Sequence, residues 1–227
     1  MTRISIEIVE SDGRHTPESV EIRQVLLAGY TGRDQNKVLQ HIHELEALGV
    51  APPERIPMIY VVEPDLLTMD HRLTVHNDQT SGEAEFYLLR VEDTWLIGVG
   101  SDHTDRQHEA IDVAESKALC PKAISPQVWR YDDIRDHWDS IEIRSWVTDG
   151  AGRRLYQEGR LDTFMTIDNL LAELSQAGYS DFEGRLIFGG TLPTLGEFVF
   201  GQCFETELRD RVLGRRLARG YDIVVIA

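Results

Sequence analysis

Cysteine is nearly absent from this 227-residue chain: Cys120 and Cys203 are the two it has. Two thiols cannot build a disulfide framework, and no C-x-x-C spacing offers a zinc or redox site, so a reducing, cytoplasmic setting is expected. Long apolar runs are also missing. No stretch approaches the roughly 18 to 20 residues of a membrane span. The first ten residues alternate Ile4, Ile6 and Ile8 with polar neighbours, which is a half-buried strand and not the continuous apolar core of a signal peptide. Positive charge is scarce, with 23 Lys and Arg against 39 Asp and Glu and a formal net charge of -16. Such a surface repels phosphate backbones and anionic bilayers, so neither nucleic acid nor membrane is an expected partner. G-x-S-x-G, P-loop and G-x-G-x-x-G fingerprints are absent, which removes serine-hydrolase and nucleotide readings. No repeat and no Pro/Gly/Ser-rich linker divides the chain, and one domain over 1–227 is expected.

What remains is a β-rich α+β pattern. An apolar run from Ile22 to Ala28 reads as a buried strand ending at Gly29. Arg33 to Leu48 places Val38, Ile42, Leu45 and Leu48 four and three apart, the period of a helix, with Gly49, Pro52 and Pro53 as its stop. Short strands are expected at Ile56–Val62, Leu73–Val75, Ala84–Val91 and Thr94–Gly100. A hairpin is expected around Asp149-Gly150-Ala151-Gly152, and a second helix near Ile167–Ala177. The last third, with runs at Arg185–Phe188, Phe198–Leu208, Arg215–Arg219 and Ile223–Ile226, is again β in character. Strands and helices do not alternate, which argues against a doubly wound sheet.

The sharpest local feature is Glu83-Ala84-Glu85 ahead of a strand, a turn at Glu92-Asp93, and a return strand reaching Asp102. Residues two apart on a strand share a face, so both glutamates point the same way. If Val91 faces Thr94 across a two-residue turn, Glu83 falls opposite Asp102 and Glu85 opposite Gly100. Three carboxylates then crowd one face, where they repel unless a proton or a cation lies between them. Hard oxygen donors suit Mg2+, Mn2+ or Ca2+, and Mg2+ is favoured because it keeps positions open for water and substrate oxygens.

Taken together, E-x-E, then D-x-x-x-R at Asp102–Arg106, then a lysine within the Pro-bounded loop Lys117–Pro126, then Gly190-Thr191-Leu192-Pro193, resembles the fumarylacetoacetate hydrolase (FAH) superfamily, and Gly100–Arg106 with Ser116-Lys117 and Cys120-Pro121-Lys122 resembles a compact bacterial branch within it. The resemblance implies an FAH-like mixed β-roll/β-sandwich with a few peripheral helices. About 1–60 would hold N-terminal strands and a lid-type helix, and 61–227 a metal-binding β-rich core. It implies Glu83, Glu85 and Asp102 as metal ligands, Arg106 and Thr191 as substrate contacts, and Lys117 as the cation beside a substrate carbonyl or enolate. It also implies a water-activating His and Glu three residues apart, a spacing that His41 and Glu44 supply on the first helix. Asp105 takes a position that is small and uncharged in the family, so the substrate pocket is expected to differ, and the segment Gly29–Asp34 ahead of His41 and Glu44 is longer than the family's and departs from its Asn-Tyr spacing. Lys122 is read as solvated, His71 and His76 as loop residues, and His103 and His108 as groups orienting the site. The implied activity is cleavage beside a carbonyl of a 2-oxo acid or 1,3-dicarbonyl, with carbon-carbon hydrolysis ahead of decarboxylation, hydration or isomerisation. A catalytically silent, metal-stabilised binding or assembly protein is the rival from another class. A homodimer is expected, covering Phe198, Phe200 and the run Ile223–Ile226.

Overall fold

The computed structural model describes residues 1–47 and 52–226; within its first helix the side chains of His41, Glu44, Leu45 and Ala47 lie outside the described residues. The chain opens with β1 (Thr2–Val9), β2 (His15–Ile22) and β3 (Gln24–Gly29), then α1 (Gln35–Ala47) and β4 (Met58–Val62). Short strands β5 (Leu67–Thr68), β6 (Arg72–Val75) and β7 (Thr80–Ser81) lead into the long hairpin β8 (Ala84–Val91) and β9 (Thr94–Asp102). There follow β10 (Thr104–Asp105), α2 (Arg106–Glu109), α3 (Val113–Ala118), β11 (Lys122–Ile124), β12 (Gln127–Arg130) and α4 (Tyr131–Ile134). The last part holds β13 (Glu142–Asp149), β14 (Gly152–Arg160), α5 (Ile167–Gln176), β15 (Arg185–Thr191), β16 (Cys203–Asp210) and β17 (Arg215–Val225).

Among the described residues, the largest sheet runs β2-β1-β12-β9-β8-β15-β3-β4, with β11 and β5 attached beyond β9. A second sheet runs β14-β13-β16-β17-β6. The central strands β3, β8, β9 and β15 of the large sheet are buried on both faces, as their unbroken hydrophobic runs require, whereas β1 and β2 at its edge alternate buried and exposed residues. Phe86 and Leu88 of β8 enter a core shared with Ile143, Val147, Phe204, Leu208 and Leu217 of the second sheet and with Leu170 and Leu174 of α5. Tyr87 and Leu89 point the other way, into a core with Ile4, Ile6 and Ile8 of β1 and Leu27 of β3. The sheet thus curls over its own N-terminal strands while packing on a second sheet, the roll-and-sandwich arrangement expected of the FAH-like fold. Close approach between β8 and β9 depends on Gly98, where an added Cβ would lie 2.1 Å from the Tyr87 ring.

The two helices read from periodicity are present at Gln35–Ala47 and Ile167–Gln176; Leu48, Gly49 and the rest of the expected stop up to 51 lie outside the described residues. The second helix is capped by the Thr166 hydroxyl, which accepts from Asn169 N–H at 3.3 Å. The hairpin β13–β14 pairs Asp149 with Gly152 as expected. Other expectations change. His15–Ile22 is a strand of its own, because its polar sequence pairs residue by residue with β1 from Thr2↔Ile22 to Val9↔His15. Phe198–Leu208 is not one strand: β16 begins at Cys203, and Phe198 and Phe200 sit exposed on the irregular segment before it. Arg215 to Val225 is one continuous strand, not two.

Candidate metal centre

One rim of the large sheet gathers the chemistry. β3 and β15 are parallel and end there, at Gly29 and Thr191. β8 is antiparallel to β15 and begins there, with Thr191 opposite Glu85. In the β8–β9 hairpin Val91 faces Thr94 and Glu85 faces Gly100, the register expected from a two-residue turn. Glu83 lies one residue before β8, and its carbonyl accepts from Asp102 N–H at 3.1 Å, so the opposition of Glu83 and Asp102 holds. One carboxylate oxygen from each of Glu83, Glu85 and Asp102 lies within 4.8 Å of the others. Glu85 and Asp102 are buried, at 3% and 1% exposure.

Three cations answer these carboxylates. The Lys117 ammonium, carried by α3, donates to Asp102 Oδ2 at 2.5 Å and to Glu83 Oε2 at 3.2 Å. Arg106 donates to Glu83 Oε1 at 2.9 Å, to Glu109 at 2.8 Å and to Ser81 Oγ at 2.7 Å, with Phe198 stacked 4.4 Å from its guanidinium carbon. Lys122 is not solvated: β11 pairs it directly with Asp102, its side chain has no exposure, and its Nζ lies 2.7 Å from Asp102 Oδ1. Three residues of strand around a single lysine carry no amphipathic period, so its burial is decided by the partner strand alone.

Burial would raise the Asp102 carboxyl, but the Lys117 and Lys122 ammonium groups outweigh it and hold the carboxyl down at about 2. Burial likewise opposes the charge of Glu83, which Lys117 and Arg106 nevertheless keep below the usual carboxylate range. Lys117 is held above the ordinary lysine value despite its burial, chiefly by Asp102 and Glu83. Glu85 behaves oppositely. Burial, then the charges of Asp102 and Glu83, push it well above the usual range, and its Oε2 accepts from Gly190 N–H at 2.7 Å. That N–H is aimed by a backbone at φ 106°, a conformation glycine adopts without strain. A buried carboxyl that must hold a proton or meet a cation, beside two ionised neighbours, is a hard-oxygen donor set that fits a divalent ion.

The other expected residues fall as follows. Thr191 donates to Ala84 O at 3.0 Å and accepts from Gln157 Nε2 at 2.8 Å, beside Glu85. His41 and Glu44 are on α1, but their side chains lie outside the described residues. His103 is enclosed, with Nδ1 2.9 Å from the Tyr221 hydroxyl and Nε2 2.9 Å from Thr80 Oγ1; burial, then Lys122, lower it to about 3. His108 Nε2 lies 3.0 Å from Glu115. Asp105 caps α2 by accepting from His108 N–H at 3.0 Å. Two tyrosines stand at the same rim without having been singled out from sequence. Tyr60 lies with its ring 5.9 Å from the Lys117 nitrogen, and burial, then Tyr30, push its phenol up to about 12. Tyr30 follows β3 at φ 60°, a left-handed conformation that costs energy in a non-glycine residue. A tyrosine in a loop ahead of α1 and another within the apolar strand β4 carry no distinguishing pattern, which is why neither stood out. A cleft of about 560 Å³ lined by Tyr156, Leu195, Phe198 and Phe200 touches none of the three carboxylates.

Solved structures share this fold. A 2-keto-3-deoxy-D-arabinonate dehydratase complexed with magnesium and 2,5-dioxopentanoate is 16% identical, with a TM-score of 0.60 over 91% of this chain and 74% of that one. A Yersinia pestis CO92 protein described as belonging to the fumarylacetoacetate hydrolase family is 16% identical, with a TM-score of 0.62 over 96% of this chain and 100% of that one. A 2-hydroxyhepta-2,4-diene-1,7-dioate isomerase from Mycobacterium marinum is 15% identical, with a TM-score of 0.60 over 94% and 81%. The fold is that of the FAH superfamily, whose members here include a dehydratase and an isomerase. No curated protein matches the chain by sequence. A family model does match, over residues 28–221, and the chain belongs to that family, described as "Protein of unknown function (DUF2848)".

Proposed function

We propose that the chain is a divalent-metal-dependent enzyme acting beside a carbonyl of a 2-oxo acid or 1,3-dicarbonyl, with carbon-carbon bond hydrolysis as its reaction. The observation that carries this is the cluster of the half-buried Glu83 with the buried Glu85 and Asp102 on one sheet rim, with the Lys117 ammonium 2.5 Å from Asp102. Glu83, Glu85 and Asp102 would hold the ion, with Mg2+ favoured over Mn2+ and Ca2+ for an all-carboxylate set. A divalent ion bound there supplies Lewis acidity toward the oxygens of the substrate. Lys117 would stabilise negative charge growing on a substrate oxygen, as a fixed donor does in an oxyanion hole. Arg106 and Thr191 would fix the carboxylate end of the substrate. His41 and Glu44 would orient and deprotonate water, a contribution of roughly 10² to 10⁴ in rate. Magnesium in the dehydratase of the same fold supports the choice of ion.

Purified protein given acylpyruvates or oxaloacetate with Mg2+ or Mn2+ should release pyruvate from the former, and alanine variants of Glu83, Glu85 and Asp102 should not. Decarboxylation of oxaloacetate without acylpyruvate cleavage would move the protein to the decarboxylase class, and turnover of neither would leave the hydratase or isomerase reading and the silent, metal-stabilised protein. One observation favours that last reading: the Lys117 and Arg106 donors are already engaged by carboxylates of the chain itself. The same proposal includes a cytoplasmic homodimer. Its motivation is the exposure of Leu195, Phe198, Phe200, Val225 and Ile226, large apolar side chains left uncovered in one copy.

A further inference from the structure

The two lysines at Asp102 are not equivalent. Lys117 comes from the short helix α3 and stands beside the Tyr60 ring at the rim, reaching both Asp102 and Glu83. Lys122 is sealed in. It is the cross-strand partner of Asp102, its side chain has no exposure, and its ammonium is shared between Asp102 Oδ1 and the carbonyl of His103, each at 2.7 Å. One carboxylate is therefore divided: Oδ1 belongs to a strand-mounted lysine, and Oδ2 faces Glu83 and the Lys117 ammonium.

We propose that Lys122 is a positioning residue, a fixed internal counter-cation that sets the Asp102 rotamer and lets the three-carboxylate cluster fold without a divalent ion, at the expense of affinity for that ion. This rests on the metal-centre reading above. Three carboxylates within 4.8 Å need positive charge wherever water is excluded. Lys117 can turn outward at the rim when an ion enters, because α3 is a six-residue helix at the site's edge. Lys122 cannot leave, because β11 is paired to β9 on one side and to β5 on the other. Its charge stays on the ligand carboxylate and repels any ion bound through Oδ2. The cluster is thereby built to exist without metal and to take it up weakly.

The test uses the full chain with Lys122→Met, Lys122→Gln and the double variant Asp102→Asn/Lys122→Met, melted after EDTA treatment and again with Mn2+, together with titration by the paramagnetic signal of free Mn2+. The single variants should melt lower than wild type without metal, show a larger Mn2+-induced rise, and bind Mn2+ more tightly by at least about tenfold, a lower bound for removing one nearby like charge from a partly polar interior. Adding Asp102→Asn to the Lys122→Met background should restore part of the metal-free melting temperature and abolish the Mn2+ response. Loss of lysine packing alone would not be repaired by that second change. An equal or smaller Mn2+ response in both single variants, further destabilisation by the added Asp102→Asn change, or failure of both single variants to fold even with Mn2+ would overturn the proposal. If wild type shows no Mn2+ response, the metal-centre reading fails by itself, and repair by Asp102→Asn then decides the counter-cation role alone.

Discussion

Replacing Glu85 by Gln should reverse the order of stability between metal-free and metal-loaded protein. The amide oxygen keeps an acceptor for the Gly190 N–H, now 2.7 Å from Glu85 Oε2, so the backbone contact survives. What disappears is a charge lying within 4.8 Å of two other carboxylates. At an effective dielectric of about 20, two like charges at such a separation repel by roughly 3 kcal/mol per pair, and the attraction of Lys117 offsets part of this. In wild type a proton on Glu85 relieves the repulsion, and burial, then the charges of Asp102 and Glu83, favour that proton by raising its value. Each unit by which that value exceeds the unfolded one costs about 1.4 kcal/mol once the pH lies above both. The folded state binds this proton more tightly than the unfolded chain does, so its contribution is fully present below the ordinary value of 4.5 and is lost as pH rises through the raised one. Gln carries no such dependence. Without metal, the variant should match wild type near pH 4.5 and exceed it by about 1 to 3 kcal/mol at pH 8, or roughly 2 to 10 °C in Tm for a chain of this size. With Mg2+ at about 100 times Kd, wild type should gain about 2.7 kcal/mol and the variant nothing. Calorimetry or circular dichroism melts at the two pH values, with and without Mg2+, read all four states. A Glu85→Gln protein that is less stable than wild type at pH 8 without metal, or that responds to Mg2+ as wild type does, refutes the reasoning.

Lys117→Met should keep a Mg2+-induced rise in Tm and lower turnover by about 10², the scale for losing one oxyanion donor; an unchanged rate on acylpyruvates removes the lysine from the mechanism. His103, held neutral down to about 3 by burial, leaves the unfolded chain to take up a proton first. Stability should therefore fall from pH 6.5 toward 3 by up to about 1.4 kcal/mol per unit, and His103→Gln should flatten that limb in acid-denaturation curves. His41→Ala should cripple acylpyruvate hydrolysis far more than oxaloacetate decarboxylation, while His43→Ala, at an exposed position elsewhere on α1, should match wild type in steady-state assays. Light scattering at micromolar concentration should give twice the mass of 25.8 kDa, and Phe198→Ser with Phe200→Ser should shift it toward the monomer.

The elements legible in the sequence are those whose pattern is decided locally. A two-residue turn at Glu92-Asp93 leaves one register for β8 and β9, and that register sets Glu85 opposite Gly100. The helix Ile167–Gln176 declares itself through Ile167, Leu170 and Leu174 on one face and a threonine cap. Elements set by their partners were not legible. β2, with its run His15-Thr16-Pro17-Glu18, is a strand because β1 offers it a complete ladder. Phe198 and Phe200 mimic the alternation of a strand, yet they lie on an irregular segment whose Gly201 packs against Val147 and Thr148, and the ladder starts two residues after that glycine at Cys203.

At the site the same division holds, and it falls between the sign of a charge and its surroundings. Carboxylates two apart announce a shared face from spacing alone, so the sequence by itself brings Glu83, Glu85 and Asp102 together. Which cations meet them depends on a three-residue strand and a one-and-a-half-turn helix, neither long enough to carry a period. Lys117 and Lys122 lie five apart in the sequence and look alike there, yet one ammonium sits at the rim and the other has no exposure. Their difference bears directly on function. A cluster whose charge is met only by ions that enter and leave must be loaded to fold; one that carries a lysine ion-paired with a ligand carboxylate and hydrogen-bonded to a backbone carbonyl stands ready before loading. A substrate oxygen arriving at the rim would then compete with Oδ2 of Asp102 and Oε2 of Glu83 for the Lys117 ammonium, the one cation of the pair placed where it can turn toward it.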